Sequence, residues 1–140
     1  MTREPVLPPG PGPCYDRPTM HVEVRKKGDV VIADLSGRLV GGVGDEILRE
    51  VMNELLAEGW KKILLNLSGI QVVDSAGIGE LVASHKLCHK MGAQMRLLRL
   101  PRRVKETLHL AALLPVFHVF EDEKDALHDL AAPAAPPAQA

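Results

Sequence analysis

A serine set between an aspartate and two spaced glycines, Asp74-Ser75-Ala76-Gly77-Ile78-Gly79, is where the residue types and spacing of this chain can do chemistry. The apolar run Ile63-Leu64-Leu65 reads as a buried strand, a short polar connection follows, and the glycine-spaced segment opens a helix. This order puts a hydroxyl at the positive end of a helix, where backbone N–H groups and the helix dipole favour an added phosphate. Such a serine can act as a switch, because modification changes its charge while the fold is kept. The plainer alternative is a helix N-cap, in which a short polar side chain accepts a hydrogen bond from an early helix N–H. Three features favour the switch. Ser75 lies just beyond a strand, at the end of the sheet where α/β proteins keep their sites. Gly77 and Gly79 leave the surface low beside it, so that another backbone can approach. Asp74 is placed to orient the hydroxyl or to repel a phosphate.

Other constellations carry less. Gly41-Gly42-Val43-Gly44 sits between a strand and a helix, as a phosphate cradle does. It lacks both the Gly-x-Gly-x-x-Gly spacing and a Gly-Lys-Ser/Thr, and it reads as a mobile turn beside the switch. No ATP site is visible and no cofactor is expected, so a phosphoryl donor has to arrive bound to another protein. A serine on a strand-to-helix turn also suggests the hydrolase elbow Gly-x-Ser-x-Gly, but Val73 stands two before Ser75 and 140 residues is short for that fold. His85 and His89 share a helix face at a spacing of four, with Cys88 pointing elsewhere and no further ligand nearby. They read as packing residues, and no metal is expected. Arg96, Arg99, Arg102, Arg103 and Lys105 form a basic run that reads as a solvated strand end and helix face.

The elements that must position Ser75 follow from periodicity. Met20 to Arg25 alternates as an edge strand, Lys27-Gly28-Asp29 turns, and Val30 to Leu35 returns as the second arm of a hairpin. A glycine-rich loop is expected over Ser36 to Gly44, with Asp45 capping a helix whose apolar face is Ile47, Leu48, Val51, Leu55 and Leu56 and which ends at Gly59. Lys61 to Leu67 is the central buried strand. A helix over Ala76 to Met91 follows, with Ile78, Leu81, Val82 and His85 on one face, closed by Gly92. Met95 to Leu100 is a strand, and Pro101 takes the first position of a helix faced by Val104, Leu108 and Ala111. Pro115 breaks the chain before a strand over Val116 to Phe120, and Glu121-Asp122 open a last helix carrying Ala126, Leu127 and Leu130. The order β-β-α-β-α-β-α-β-α predicts an α/β fold, a mixed and mostly parallel sheet flanked by about four helices.

Composition sets the limits. The chain has 140 residues, 46% hydrophobic and 25% charged, with a net charge of −1, as expected of a soluble globular domain that binds neither nucleic acid nor a membrane surface. One Trp, one Tyr and two Phe make the core aliphatic and leave few rings for stacking bases. Cys14 and Cys88 read as free thiols in a reducing cytosol, which makes the expected location cytoplasmic. No apolar run approaches a transmembrane length, and the N-terminus has no signal-like core. The segment 1–18, with Pro5, Pro8, Pro9, Pro11, Pro13 and Pro18, is expected to be a flexible arm. Residues 19–130 form the domain, and 131–140 an Ala/Pro tail without regular structure.

The segment Val73-Asp74-Ser75-Ala76-Gly77-Ile78-Gly79 resembles the signature of STAS domains, the fold of bacterial anti-sigma factor antagonists. Leu35-Ser36-Gly37, Leu65-Asn66-Leu67 and Pro101-Arg102-Arg103-Val104 add to the likeness, which runs over about 20–130. The resemblance implies a phosphorylation-switched binding protein, not an enzyme. Its partner would be an anti-sigma factor that is itself a serine kinase and supplies the ATP, and a phosphatase would reset it. Ser75 holds the position of the phosphorylated residue. Asp74, Ala76, Gly77, Ile78 and Gly79, with Leu39, Val40, Gly41 and Gly42, would border the partner. Antagonists of this family often carry an Asp in the turn after the second strand; here that turn reads Gly37-Arg38-Leu39-Val40-Gly41-Gly42, and Val40 stands in its place, which alters the partner surface. A second reading keeps the fold but makes the domain a scaffold of a stress-signalling assembly or a subunit of a membrane transporter, with Ser75 a plain cap.

Overall fold

The computed structural model describes residues 14–17, 20–42 and 44–131. Within them three strands are followed by alternating helices and strands: β1 (Cys14–Arg17), β2 (Met20–Lys27), β3 (Val30–Leu39), α1 (Gly44–Ala57), β4 (Lys62–Val73), α2 (Ser75–Lys90), β5 (Gln94–Leu98), α3 (Arg102–Leu110), a 3-10 turn (Leu114–Val116), β6 (Val119–Phe120) and α4 (Glu123–Ala131). One six-stranded sheet keeps the strands in chain order. β1, β2 and β3 pair antiparallel, and β3 to β6 pair parallel. Each parallel step moves one strand over in the same direction, so right-handed crossovers put α1, α2 and α3 on one face. α4 covers the other.

The side-chain period of a strand explains the two cores this produces. Ile63, Leu65 and Leu67 of β4 point into the larger core with Leu48 and Val51 of α1, Leu81 of α2 and Val104 and Leu108 of α3. Leu64 points the other way, to Ile32, Leu98 and the Ala126 and Leu130 face of α4. The expected mixed, mostly parallel sheet with four helices is the one found. Among the described residues no helix is long and apolar enough to cross a membrane.

Several boundaries differ from the sequence expectation. Cys14–Arg17, placed within the N-terminal arm, pairs with β2 from Cys14↔Glu23 to Arg17↔Met20. The proline count describes 1–18 as a whole, whereas this tetrad holds no proline and its N–H groups are available for pairing. The rest of the arm, except as stated, and the tail beyond Ala131 lie outside the described residues, as does Val43. β3 runs on through Ser36-Gly37-Arg38 to Leu39, and β4 through Ser68-Gly69 to Val73, where a loop and a polar connection were expected. The two extensions pair with each other, with register shifts after Asp34 and after Gly37. Gly69 allows this close approach: a Cβ there would stand 2.7 Å from that of Ser36. Pro101 is the N-cap of α3, not its first residue, Ala111 is exposed, and β6 is only two residues long.

α4 is tied to the sheet by charge as well as packing. Arg25 of β2 grips Asp34 of β3 through Nε (2.6 Å) and Nη2 (3.1 Å), and donates from Nη2 to Glu123 at the start of α4 (2.9 Å). Asn66 of β4 donates to the same Asp34 at 2.8 Å. The Arg25 hydrogen bond holds the Glu123 carboxyl below its ordinary value, with the charges of Arg25 and Lys27 adding to it against burial and Asp34. A depressed carboxyl contributes stability above its unfolded pKa and loses it as pH falls through the folded one. Wild type should therefore exceed Glu123→Gln in stability by about 0.5–1 kcal/mol at pH 7. Below the ordinary value of 4.5 the gap should close, as read by urea unfolding at both pH values. A gap that stays constant into acid would contradict the assignment.

Candidate functional site

β3 and β4 end side by side, with Leu39 paired to Val73, and α2 begins two residues after Val73. Asp74 alone fills the gap. Its extended backbone (φ −115°, ψ −174°) makes it the N-cap of α2. Its carbonyl accepts the first helical bond from Ile78 N (2.9 Å), while its own N–H donates to the Leu39 carbonyl (3.4 Å). The two carboxylate oxygens are used separately. Oδ1 accepts from Gly77 N at 2.9 Å, and Oδ2 reaches across to Gly41 N at 3.1 Å. These N–H groups, Gly77 first and then Gly41, hold the Asp74 carboxyl below its ordinary value. A full negative charge thus sits at the positive end of α2 before any modification.

Ser75 is the first residue of α2 and is exposed. Its hydroxyl makes no hydrogen bond among the described residues, and no histidine is bonded to it as a hydrolase base would be. The N-cap is therefore Asp74, and the side chain of Ser75 faces solvent. Asp74 does not bond the Ser75 hydroxyl, as the sequence reading allowed; it bonds the backbone on either side.

The other candidate residues divide by burial. Gly41, Gly42, Ala76 and Gly79 are exposed and Val40 is half-buried, so with Asp74 and Ser75 they form one reachable patch across the β3–α1 turn and the start of α2. Leu39 and Ile78 are core residues, 0% and 6% exposed. Gly77 is buried as well. Its missing side chain leaves room for the Leu39 carbonyl, with Val73 Cγ2 2.9 Å from where a Cβ would stand. These three lie beneath the patch, and Gly77 brings α2 against β3; it does not lower the outer surface. Gly79 has open space where a Cβ would go.

One feature beside the patch had no signal in the hydropathy pattern. Glu80, only 8% exposed, accepts from Nε and Nη2 of Arg49 at 3.3 and 3.1 Å, joining α2 to α1. The inner stripe of α2 is Gly77, Glu80, Ser84 and Cys88 together with Ile78 and Leu81. A stripe of small and polar residues does not show as a helical face. Cys88 is free, and burial pushes its thiol up to about 12. His85 stands edge-on to Phe117 with ring centroids 5.5 Å apart, and burial lowers its pKa ahead of the nearby charges of His118, His89 and Arg96. His89 is exposed. Among the described residues no group of three or more His, Cys, Asp or Glu is placed to hold a metal ion.

Comparison with known proteins adds the family. An anti-sigma F factor antagonist from Paenibacillus polymyxa is 24% identical over 111 residues, which are 79% of this chain and 95% of that protein. The structure of an anti-sigma factor antagonist from Mycobacterium paratuberculosis superposes with a TM-score of 0.72 at 18% identity, covering 84% of this chain and all of that one. The Bacillus cell fate determinant SpoIIAA in its phosphorylated form gives a TM-score of 0.61 at 17% identity, covering 78% and 98%. At such identities the structural likenesses establish the fold. A profile of the STAS domain matches residues 21–126, and on that match the chain belongs to the STAS domain family.

Proposed function

We propose that this chain is an anti-sigma factor antagonist whose binding is switched at Ser75. Unmodified, it occupies an anti-sigma factor kinase through the patch formed by Val40 to Gly42, Asp74 to Ala76 and Gly79, and the sigma factor held by that kinase goes free. Ser75 Oγ then attacks the γ-phosphorus of the kinase's ATP. The bond from that phosphorus to the β–γ bridging oxygen breaks, ADP leaves, and the hydroxyl proton passes to a base of the kinase. A phosphatase restores the hydroxyl. Phosphoserine adds a charge of about −1.5 to −2 next to the Asp74 carboxylate, so the patch becomes strongly anionic and the complex parts. The observation that carries this reading is the exposed, unbonded hydroxyl at the first residue of α2. The anti-sigma F factor antagonist relative supports the choice of partner.

The test is mass spectrometry of the chain after incubation with its cognate kinase and ATP. A single phosphate mapped to Ser75 is expected. Ser75→Ala should carry none and still bind the kinase within about twofold of wild type, because a small exposed truncation costs little. A phosphate elsewhere, or none, would overturn the reading. Co-purification with a transporter or a large assembly, Ser75 remaining unmodified, would point to a constitutive scaffold instead.

A further inference from the structure

We propose that Asp74 is a strap between α2 and the β3–α1 turn, and that a phosphate on Ser75 undoes it, so that modification loosens the turn as well as charging the surface. This rests on the reading of Ser75 as the modified residue. The turn is otherwise held only to its own helix among the described residues: Gly42 N donates to Asp45 Oδ1 (3.0 Å), and Asp45 N donates to the Val40 carbonyl (3.2 Å). The bond from Gly41 N to Asp74 Oδ2 is what fastens it to α2. The fit there is tight, since a Cβ on Gly41 would stand 2.9 Å from that of Ala76. The turn therefore rests on the start of α2 through Asp74 and Ala76, the two residues that flank Ser75.

A phosphate on Ser75 disturbs this link in two ways. It is a dianion attached one residue from the carboxylate that makes the link, so the two repel. It also brings three strong acceptor oxygens among the N–H groups of the first turn, where they compete with Asp74 Oδ1 for Gly77 N and free the carboxylate to turn away from Gly41. Asp74 loses its hold on Gly41, and Val40, Gly41 and Gly42 leave the arrangement that completes the reachable patch. On this account Asp74, besides lying in the patch, is a positioning residue for the turn it holds.

Solvent-exchange NMR on the isolated chain tests this without a partner. Asp74→Asn is the selective variant. Asn remains a good N-cap and can accept from Gly77 N, but its amide nitrogen cannot accept from Gly41 N. The Gly41 amide should exchange about fivefold faster or more in Asp74→Asn, with Gly77 still protected. Phosphoserine installed at position 75 should give the same acceleration at Gly41, and Ser75→Ala should leave it at the wild-type rate. Unchanged Gly41 exchange in the phosphorylated chain overturns the strap. If that same chain no longer binds the kinase, the Ser75 switch stands without the strap. Faster Gly41 exchange with kinase binding intact supports the strap and overturns the switch.

Discussion

Ser75→Asp should weaken binding to an anti-sigma factor kinase by about a hundredfold, while leaving the chain folded. The expected loss follows from what already surrounds the hydroxyl. Asp74 is ionised at neutral pH, its carboxyl held low by the Gly77 and Gly41 N–H groups. A second carboxylate on the next residue concentrates like charge on a patch that a partner has to desolvate. An unpaired charge in such an interface costs several kcal/mol, and about 2.7 kcal/mol corresponds to a hundredfold in affinity. The same substitution is benign inside the chain. An acidic residue in the first turn of a helix interacts favourably with its dipole, so the melting temperature should not fall. Loss of binding at unchanged stability separates a charge effect from unfolding. Ser75→Asn, similar in size and neutral, should bind within about threefold of wild type. Calorimetric titration at physiological salt decides the matter. Equal affinities for wild type and Ser75→Asp would remove the switch.

How much of this was legible in the sequence depends on how local the cause is. α1 and α4 follow from the spacing of Ile47, Leu48, Val51, Leu55 and Leu56 and of Ala126 and Leu130, because an apolar helical stripe is written within one segment. The Asp-Ser step and its position between strand and helix are equally local, so Ser75 could be singled out. What the sequence did not reveal are pairings between distant segments. Ser36-Gly37 and Ser68-Gly69 each look like a strand end. Each continues as strand because the other lies beside it, and Gly69 lets the two backbones close. Asp74 reads as a partner for its neighbour Ser75, whereas its second oxygen serves Gly41, 33 positions away. Gly77 looks like a gap in the surface until the Leu39 carbonyl is seen lying in that space. The Arg49–Glu80 bridge is invisible for the same reason.

Gly77→Ala should destabilise the fold by about 2–4 kcal/mol, whereas Gly79→Ala, two positions along the same helix, should stabilise it by up to about 1 kcal/mol. The chemical change is identical, and so is the gain in helix propensity on replacing glycine by alanine. The difference lies in what the new methyl meets. At Gly79 it meets nothing within 4 Å. At Gly77 it runs into the Leu39 carbonyl oxygen, with the Leu39 carbonyl carbon at 3.0 Å. Neither atom is the end of a flexible side chain. Leu39 is paired to Val73 in the sheet, and its carbonyl also receives the Asp74 N–H. Relief requires the start of α2 to move away from β3, which pulls Asp74 from the Leu39 carbonyl and from Gly41 N. The clash therefore exceeds the propensity gain, and part of its cost falls on the patch that a partner would touch. Urea unfolding should show the two midpoints moving in opposite directions from wild type. A stabilised Gly77→Ala would mean that α2 can retreat from Leu39 at little cost, and that Asp74 does not depend on their close approach.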